Sequence, residues 1–218
     1  MVAAPLSRSE TNRSRADRVV LHHIGWEQFE RLLVDLGDGR AARVAYDNGT
    51  LEIMTPLPEH EHFKETISDA VKDIADELEI EYESYGSTTW RQKIKAVGVE
   101  PDNCFYFQHE AQVRGRLDLD LSQGDPPPDV VLEIDLTNKS LDRFPIYARL
   151  GVPEIWCYDS GELDIYHLQN GEYVAANSSL ALPQLSLKAL PKLIAAHRLE
   201  GRRAVRKSVR QWVRASVS

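Results

Sequence analysis

The chain has 218 residues, 42% of them hydrophobic, and a net charge of −8, enough for one sizeable core in a single domain with appendages. No apolar run approaches the roughly 18 residues that a membrane span needs, and the first residues lack the hydrophobic segment of a secretory signal, so the expectation is a cytoplasmic protein without membrane contact. The acid excess excludes a generic polyanion binder, although seven bases against one acid between residues 198 and 214 give +6 there and leave −14 on the remainder.

Residues 1–18 are rich in Arg, Ser and acids and are expected to form a poorly ordered leader, with order beginning near Val19. Trp26, Phe29, Leu32, Leu33 and Leu36 recur at helical spacing and stop at Gly37, which predicts a short amphipathic helix. Arg43 to Tyr46 and Leu51 to Thr55 flank Asp47-Asn48-Gly49 and read as a hairpin. From Pro58 to Ile80 the residues Phe63, Ile67, Ala70, Val71, Ile74 and Leu78 mark one face of a long helix. Strands are expected over Glu81 to Trp90 and Asp102 to Phe107, followed by a polar loop that ends in Pro126-Pro127-Pro128. A helix over Leu141 to Leu150 should end at Gly151, with Pro145 tolerated in its first turn. Three further short strands, joined at Ser160-Gly161 and Asn170-Gly171, precede a last helical region from Ser186 towards Val213. This order is that of an α/β protein with a mixed central β-sheet flanked by helices, an N-terminal helix and hairpin, and a C-terminal helical addition. The domain reading is a leader at 1–18, one domain at 19–197 and a basic helical tail at 198–218. Cys104 and Cys157 lie in apolar strand-like sequence without metal-ligand spacing and should be buried thiols.

The segment PPPDVVLEIDLT, from Pro126 to Thr137, carries Asp129, Glu133 and Asp135 at spacings of four and two among Val, Leu and Ile. In an extended chain these acids and Val131 point one way, and Val130, Leu132 and Ile134 point the other. One face should be core and the other acidic, and close carboxylates call for a neutralising partner, most naturally a divalent cation. If Asp102 lies beside Glu133 in the sheet, two carboxylates converge and supply the oxygen ligands that Mg²⁺ prefers, as a phosphodiester-cutting centre would require. Lys139 and Arg143 follow closely enough to lean over the strand end. Asp129 reads as a carboxylate capping free backbone N–H groups, and Glu100 as a surface acid.

The segments EIMTPLPEHEHFKE, YGSTTWRQK, GVEPDNCFYF, PPPDVVLEIDLT and DRFPIYARLGVPEIWCYD resemble, in order and spacing over about residues 24 to 180, the Uma-type family of restriction endonucleases expanded in cyanobacteria. That family is assigned to the PD-(D/E)xK nuclease superfamily, so the resemblance implies a restriction-endonuclease-like core and an Mg²⁺- or Mn²⁺-dependent enzyme acting on DNA. By resemblance Pro101-Asp102 matches the first acidic element and Glu133-Ile134-Asp135 occupies the Glu-x-Lys place. Position 135 departs from the pattern, being Asp where the superfamily has Lys. Asp135 then reads as a third metal ligand beside Asp102 and Glu133, or as the mark of a chain that has lost cleavage and binds nucleic acid or a protein partner. In many family members a lysine sits four residues before a Tyr, which here falls on Arg143. Arg143 or Lys139 would then assist, Arg143 as a fixed phosphate binder that makes a poor base. Superfamily enzymes often add a residue from the preceding helix, for which Glu61, Glu65 and above all His62 are the candidates. Cutting both strands of a duplex commonly pairs two centres, which makes a homodimer part of the expectation.

Overall fold

In the computed structural model, which describes residues 17–37, 39–134 and 140–217, the chain builds two sheets. The first runs β1 (Arg18–Leu21), β3 (Thr50–Met54), β2 (Arg43–Asp47), β6 (Val97–Val99), β5 (Trp90–Gln92), every neighbouring pair antiparallel. Helix α1 (Trp26–Leu36) lies on it, burying Phe29 and Leu33, and the Phe29 ring stacks on Tyr46 with centroids 4.6 Å apart. That approach explains Gly98 in β6, where an added Cβ would sit 2.8 Å from the Phe29 ring.

The second sheet runs β11 (Glu172–Ala176), β10 (Glu162–Gln169), β9 (Glu154–Asp159), β8 (Val130–Ile134), β7 (Asn103–Tyr106), β4 (Glu83–Ser84). β8 and β9 are parallel, joined through α4 (Phe144–Leu150), and the other pairs are antiparallel, so the sheet is mixed. The long α2 (Pro58–Leu78) covers one face together with α5 (Leu190–His197) and α6 (Arg202–Val217), packing Ile67, Val71, Ile74 and Val209 against Leu132, Ile134 and Trp156. Helix α4 and the β5/β6 end of the first sheet cover the other face, where Ile146, Tyr147, Val97 and Val99 meet Val131, Tyr106 and Ile155. A four-residue α3 (Glu110–Val113) follows β7.

All five residues of β8 are therefore buried, which corrects the expectation of one apolar and one acidic face. Val131 shares its face with Glu133 and is still core, because a parallel strand pair inside a layered fold is covered on both sides. One strand and one helix expectation shift as well. Glu81 to Trp90 does not form one strand: the chain turns at Gly86 (φ 57°), leaves the second sheet after β4 and joins the first at Trp90, opposite Val99. The C-terminal helical region is broken at Gly201 (φ 98°) into α5 and α6. The three Xaa-Gly turns appear as read, with positive φ at both residues of Asn48-Gly49, Ser160-Gly161 and Asn170-Gly171, the geometry of two-residue type I′ hairpins. Gly151 (φ 88°) caps α4, and Cys104 and Cys157 are buried thiols.

Candidate active site

The centre of the second sheet brings two acids from different strands to one place. β7 and β8 pair antiparallel with Asn103 opposite Leu132 and Cys104 opposite Val131, so Asp102, just before β7, and Glu133, near the end of β8, lie at the same end of this strand pair. The Asp102 backbone N–H donates to the Leu132 carbonyl at 3.2 Å, which holds Asp102 against β8. Both side chains are almost completely withdrawn from solvent, Asp102 at 1% exposure and Glu133 at 0%.

Each acid is fixed by a neighbour. Asp102 Oδ2 accepts from the Ile134 N–H at 2.7 Å and lies 3.1 Å from His60 Nε2. That same Nε2 is 3.1 Å from the Ile134 carbonyl oxygen, which can only accept, so Nε2 carries a proton. The other ring nitrogen, Nδ1, is buried with no hydrogen-bond partner among the described residues. Glu133 Oε1 accepts from the Tyr147 hydroxyl. Burial, and then the charge of Glu133 and this hydrogen bond, push the Tyr147 phenol well above its ordinary value, so it remains a donor at any physiological pH. The β8–α4–β9 crossover is what places Tyr147 over Glu133, 14 residues further along the chain.

Arg143, at 1% exposure, completes the surround from the N-terminus of α4. One of its nitrogens, Nη2, donates to Glu52 Oε1 at 2.7 Å. Glu52 on β3 is itself fully buried and accepts from the backbone N–H groups of Ser140 at 2.8 Å and Leu141 at 3.2 Å. It thus ties the first sheet to the segment that leads into α4. Nε and Nη1 of Arg143 are buried and have no hydrogen-bond partner among the described residues, leaving two donors of a fixed cation available inside the fold.

The remaining sequence candidates fall as follows. His62 is exposed, with its ring edge-on to Phe63, and the histidine that meets Asp102 is His60. Two residues on a helix are about 200° apart around the axis, so only one of the pair can face the sheet. The signal for the right one was present: His60 precedes Phe63 by three and Ile67 by seven, and so belongs to the apolar stripe. Glu61 pairs with Lys64 at 3.0 Å and with Arg43 at 3.4 Å, and Glu65 lies 3.7 Å from Lys64. Asp129 caps the end of β7 as read, accepting from Phe107 N at 2.8 Å and His109 N at 2.9 Å, and it also bonds the His109 ring. Glu100 is buried instead of lying on the surface; it accepts from Arg40, from Thr89 at 2.5 Å and from Val44 N at 3.2 Å. Asp135 and Lys139 lie outside the described residues. Tyr147 and Glu52 carried no signal of their own, because a phenol in a helix and an acid in a strand acquire these partners only through the crossover and the meeting of the two sheets.

Among the described residues no group of three or more His, Cys, Asp or Glu is placed to hold a metal ion, so the three-acid set is represented by two of its members. The donor chemistry of those two fits a hard divalent cation: they supply carboxylate oxygens, which Mg²⁺ binds while keeping several waters.

No curated protein matches the chain. Among solved structures it is similar to a crystal structure from Anabaena variabilis ATCC 29413, described as a "putative nuclease belonging to DUF820", with 14% identity and a TM-score of 0.44 over 76% of this chain and 90% of that one. The Uma2 family profile, described as "Putative restriction endonuclease", matches residues 26–198, which is most of the chain, and the protein belongs to that family.

Proposed function

We propose that this protein is an Mg²⁺- or Mn²⁺-dependent endonuclease that hydrolyses DNA phosphodiester bonds, with Asp102 and Glu133 as the cation's ligands. The observation that carries this reading is a pair of buried carboxylates, Asp102 just before β7 and Glu133 near the end of the neighbouring β8, in a chain of this family. Two acids set against each other inside a protein disfavour each other's ionisation, and such an arrangement is commonly kept for chemistry that neutralises it.

The chemistry a bound divalent cation supplies here is a lowered pKa for a ligated water and relief of the negative charge that builds up at phosphorus. The rest falls to the chain. His60 Nε2–H orients Asp102, and the Tyr147 hydroxyl holds Glu133 in one rotamer, so both carboxylates stay aimed without reorganisation. Arg143, anchored to Glu52 by one nitrogen, directs its remaining donors at the phosphoryl oxygens and stays protonated throughout. The Nδ1 lone pair of His60 is a proton acceptor within the same surround. Asp135 serves as a third ligand and Lys139 as a second cation in this reading. Cutting both strands requires two centres, which a homodimer supplies. No helix among the described residues is long and apolar enough to cross a membrane.

The test is nicking of supercoiled plasmid in Mg²⁺ or Mn²⁺ by the wild type and by Glu133→Ala. Nicking that needs the cation and disappears in the variant supports the reading; equal nicking by both overturns it. DNA binding without cleavage under every cation would assign the fold to a binding role instead.

A further inference from the structure

Beyond the residues matched by the family profile, α6 carries the densest positive charge of the chain. It runs parallel to α2. Arg202 meets Asp69 at 3.2 Å, Arg206 meets Asp73 at 2.8 Å, and Arg210 meets Asp73 at 2.6 Å and Glu77 at 3.4 Å. Arg214 adds Glu77 at 2.5 Å. These arginines recur every fourth residue, beside a buried row of Val205, Val209 and Val213 that docks the helix into the core.

This ladder does not use all the charge. Arg203 and Lys207, each one position further round the helix, are exposed and form no ion pair among the described residues. The ladder arginines also stay accessible: the Arg202 and Arg206 side chains are each 46% exposed and that of Arg214 is 67% exposed. Carboxylates on α2 hold Arg202 and Arg206 from one side, and their half-exposed guanidiniums face solvent beside Arg203 and Lys207, a preorganised array for anionic oxygen. The rest of the chain carries −14, so a polyanion is repelled elsewhere and accepted along this strip.

We infer that the outer face of α6 is a docking surface for the phosphate backbone of duplex DNA, a proposal that rests on the nuclease reading and gives the substrate its place on the molecule. Asp69, where the ladder begins, is nine residues along α2 from His60, about 13 Å at the rise of an α-helix. A single turn of B-DNA spans roughly 34 Å. Contacts of this kind carry no base specificity; they set affinity and orientation.

The test measures binding of a fluorescein-labelled 30-bp duplex by anisotropy in EDTA, where no cleavage is needed, for the wild type and for the double variant Arg203→Glu/Lys207→Glu. The expected result is a Kd raised about tenfold or more and a slope of log K against log salt that flattens by about two, at close to one unit per phosphate contact. Neither side chain belongs to the ladder, so the melting temperature should hold; if charge reversal lowers it, Arg203→Ala/Lys207→Ala is read instead, with Kd expected to rise about threefold. Unchanged affinity and slope overturn the inference. So does displacement of the DNA by poly-glutamate at equal charge concentration, which would mark an acidic protein as the partner. A wild type that nicks nothing yet loses DNA affinity in the double variant keeps this surface and removes the nuclease reading alone.

Discussion

Two sets of buried acids in this molecule are treated in opposite ways. Asp73, at 0% exposure on α2, is met by Arg206 and Arg210, so its charge is balanced within the fold. Burial pushes its carboxyl up, but hydrogen bonds from Arg206 and Arg210, and then their charges, outweigh that and hold it below the usual aspartate range. Asp102 and Glu133, equally buried, lie just before β7 and near the end of the neighbouring β8. The first arrangement joins two helices. The second gathers two carboxylates with His60, Tyr147 and Arg143 around them, groups that orient the acids without pairing them off as two arginines do Asp73. Burial alone therefore does not separate acids that join elements from the acids of the proposed centre.

The sharpest way to break this comparison is to neutralise one acid from each set. Glu133→Gln should lower plasmid nicking on the order of 10³-fold, about 4 kcal/mol of transition-state stabilisation, while the protein still melts cooperatively. Asp73→Asn should leave nicking by the folded protein intact and lower stability by about 3 kcal/mol, which is roughly 6 to 12 °C in Tm for a chain of this size. If the two variants exchange these phenotypes, the assignment of roles is reversed.

A pH series sharpens the same contrast. A carboxyl whose folded pKa lies below its unfolded value of about 3.9 contributes stability above that pH and loses the contribution as pH falls through the folded pKa. Denaturant midpoints should therefore drop more steeply below about pH 4 in the wild type than in Asp73→Asn. Parallel acid limbs in the two proteins would show that the Arg206 and Arg210 pairing does not perturb Asp73 in solution.

Smaller effects test the groups around the centre. His60→Ala should slow nicking roughly 10- to 100-fold, with His62→Ala within about threefold of wild type, as a group orienting a ligand differs from an exposed one. Equal losses would return both histidines to one role. Tyr147→Phe removes the donor to Glu133 and should cost about 1–2 kcal/mol in metal-free unfolding. It should also weaken Mn²⁺ binding, read by calorimetry, by less than about tenfold. An unchanged stability would mean that the Tyr147 to Glu133 contact is not held in solution.

What was legible from residue order follows a clear physical line. The Asn48-Gly49, Ser160-Gly161 and Asn170-Gly171 turns, the Gly151 cap and the apolar stripes of α1 and α2 depend on backbone preference and periodicity, which are properties of neighbours in the chain. Asp102 and Glu133 stood out because an acid in an apolar strand needs a reason. The first sheet was harder to read: β1 and β6 are short, and the stretch from Glu81 to Trp90 looks like one strand although its ends belong to different sheets.

The sequence by itself determined the elements, the mixed α/β class and the two acids at the centre, since each rests on local conformational preference or on the anomaly of a charge among apolar side chains. Only the tertiary structure decided that His60 and not His62 meets Asp102, that Tyr147 and the Glu52–Arg143 pair surround the centre, and that the basic helix is locked to α2. These contacts join residues between 14 and 137 positions apart, and their partners are chosen by helix phase, strand register and the crossing of layers. No local pattern encodes such a choice, because it is made by the packing of the whole chain at once.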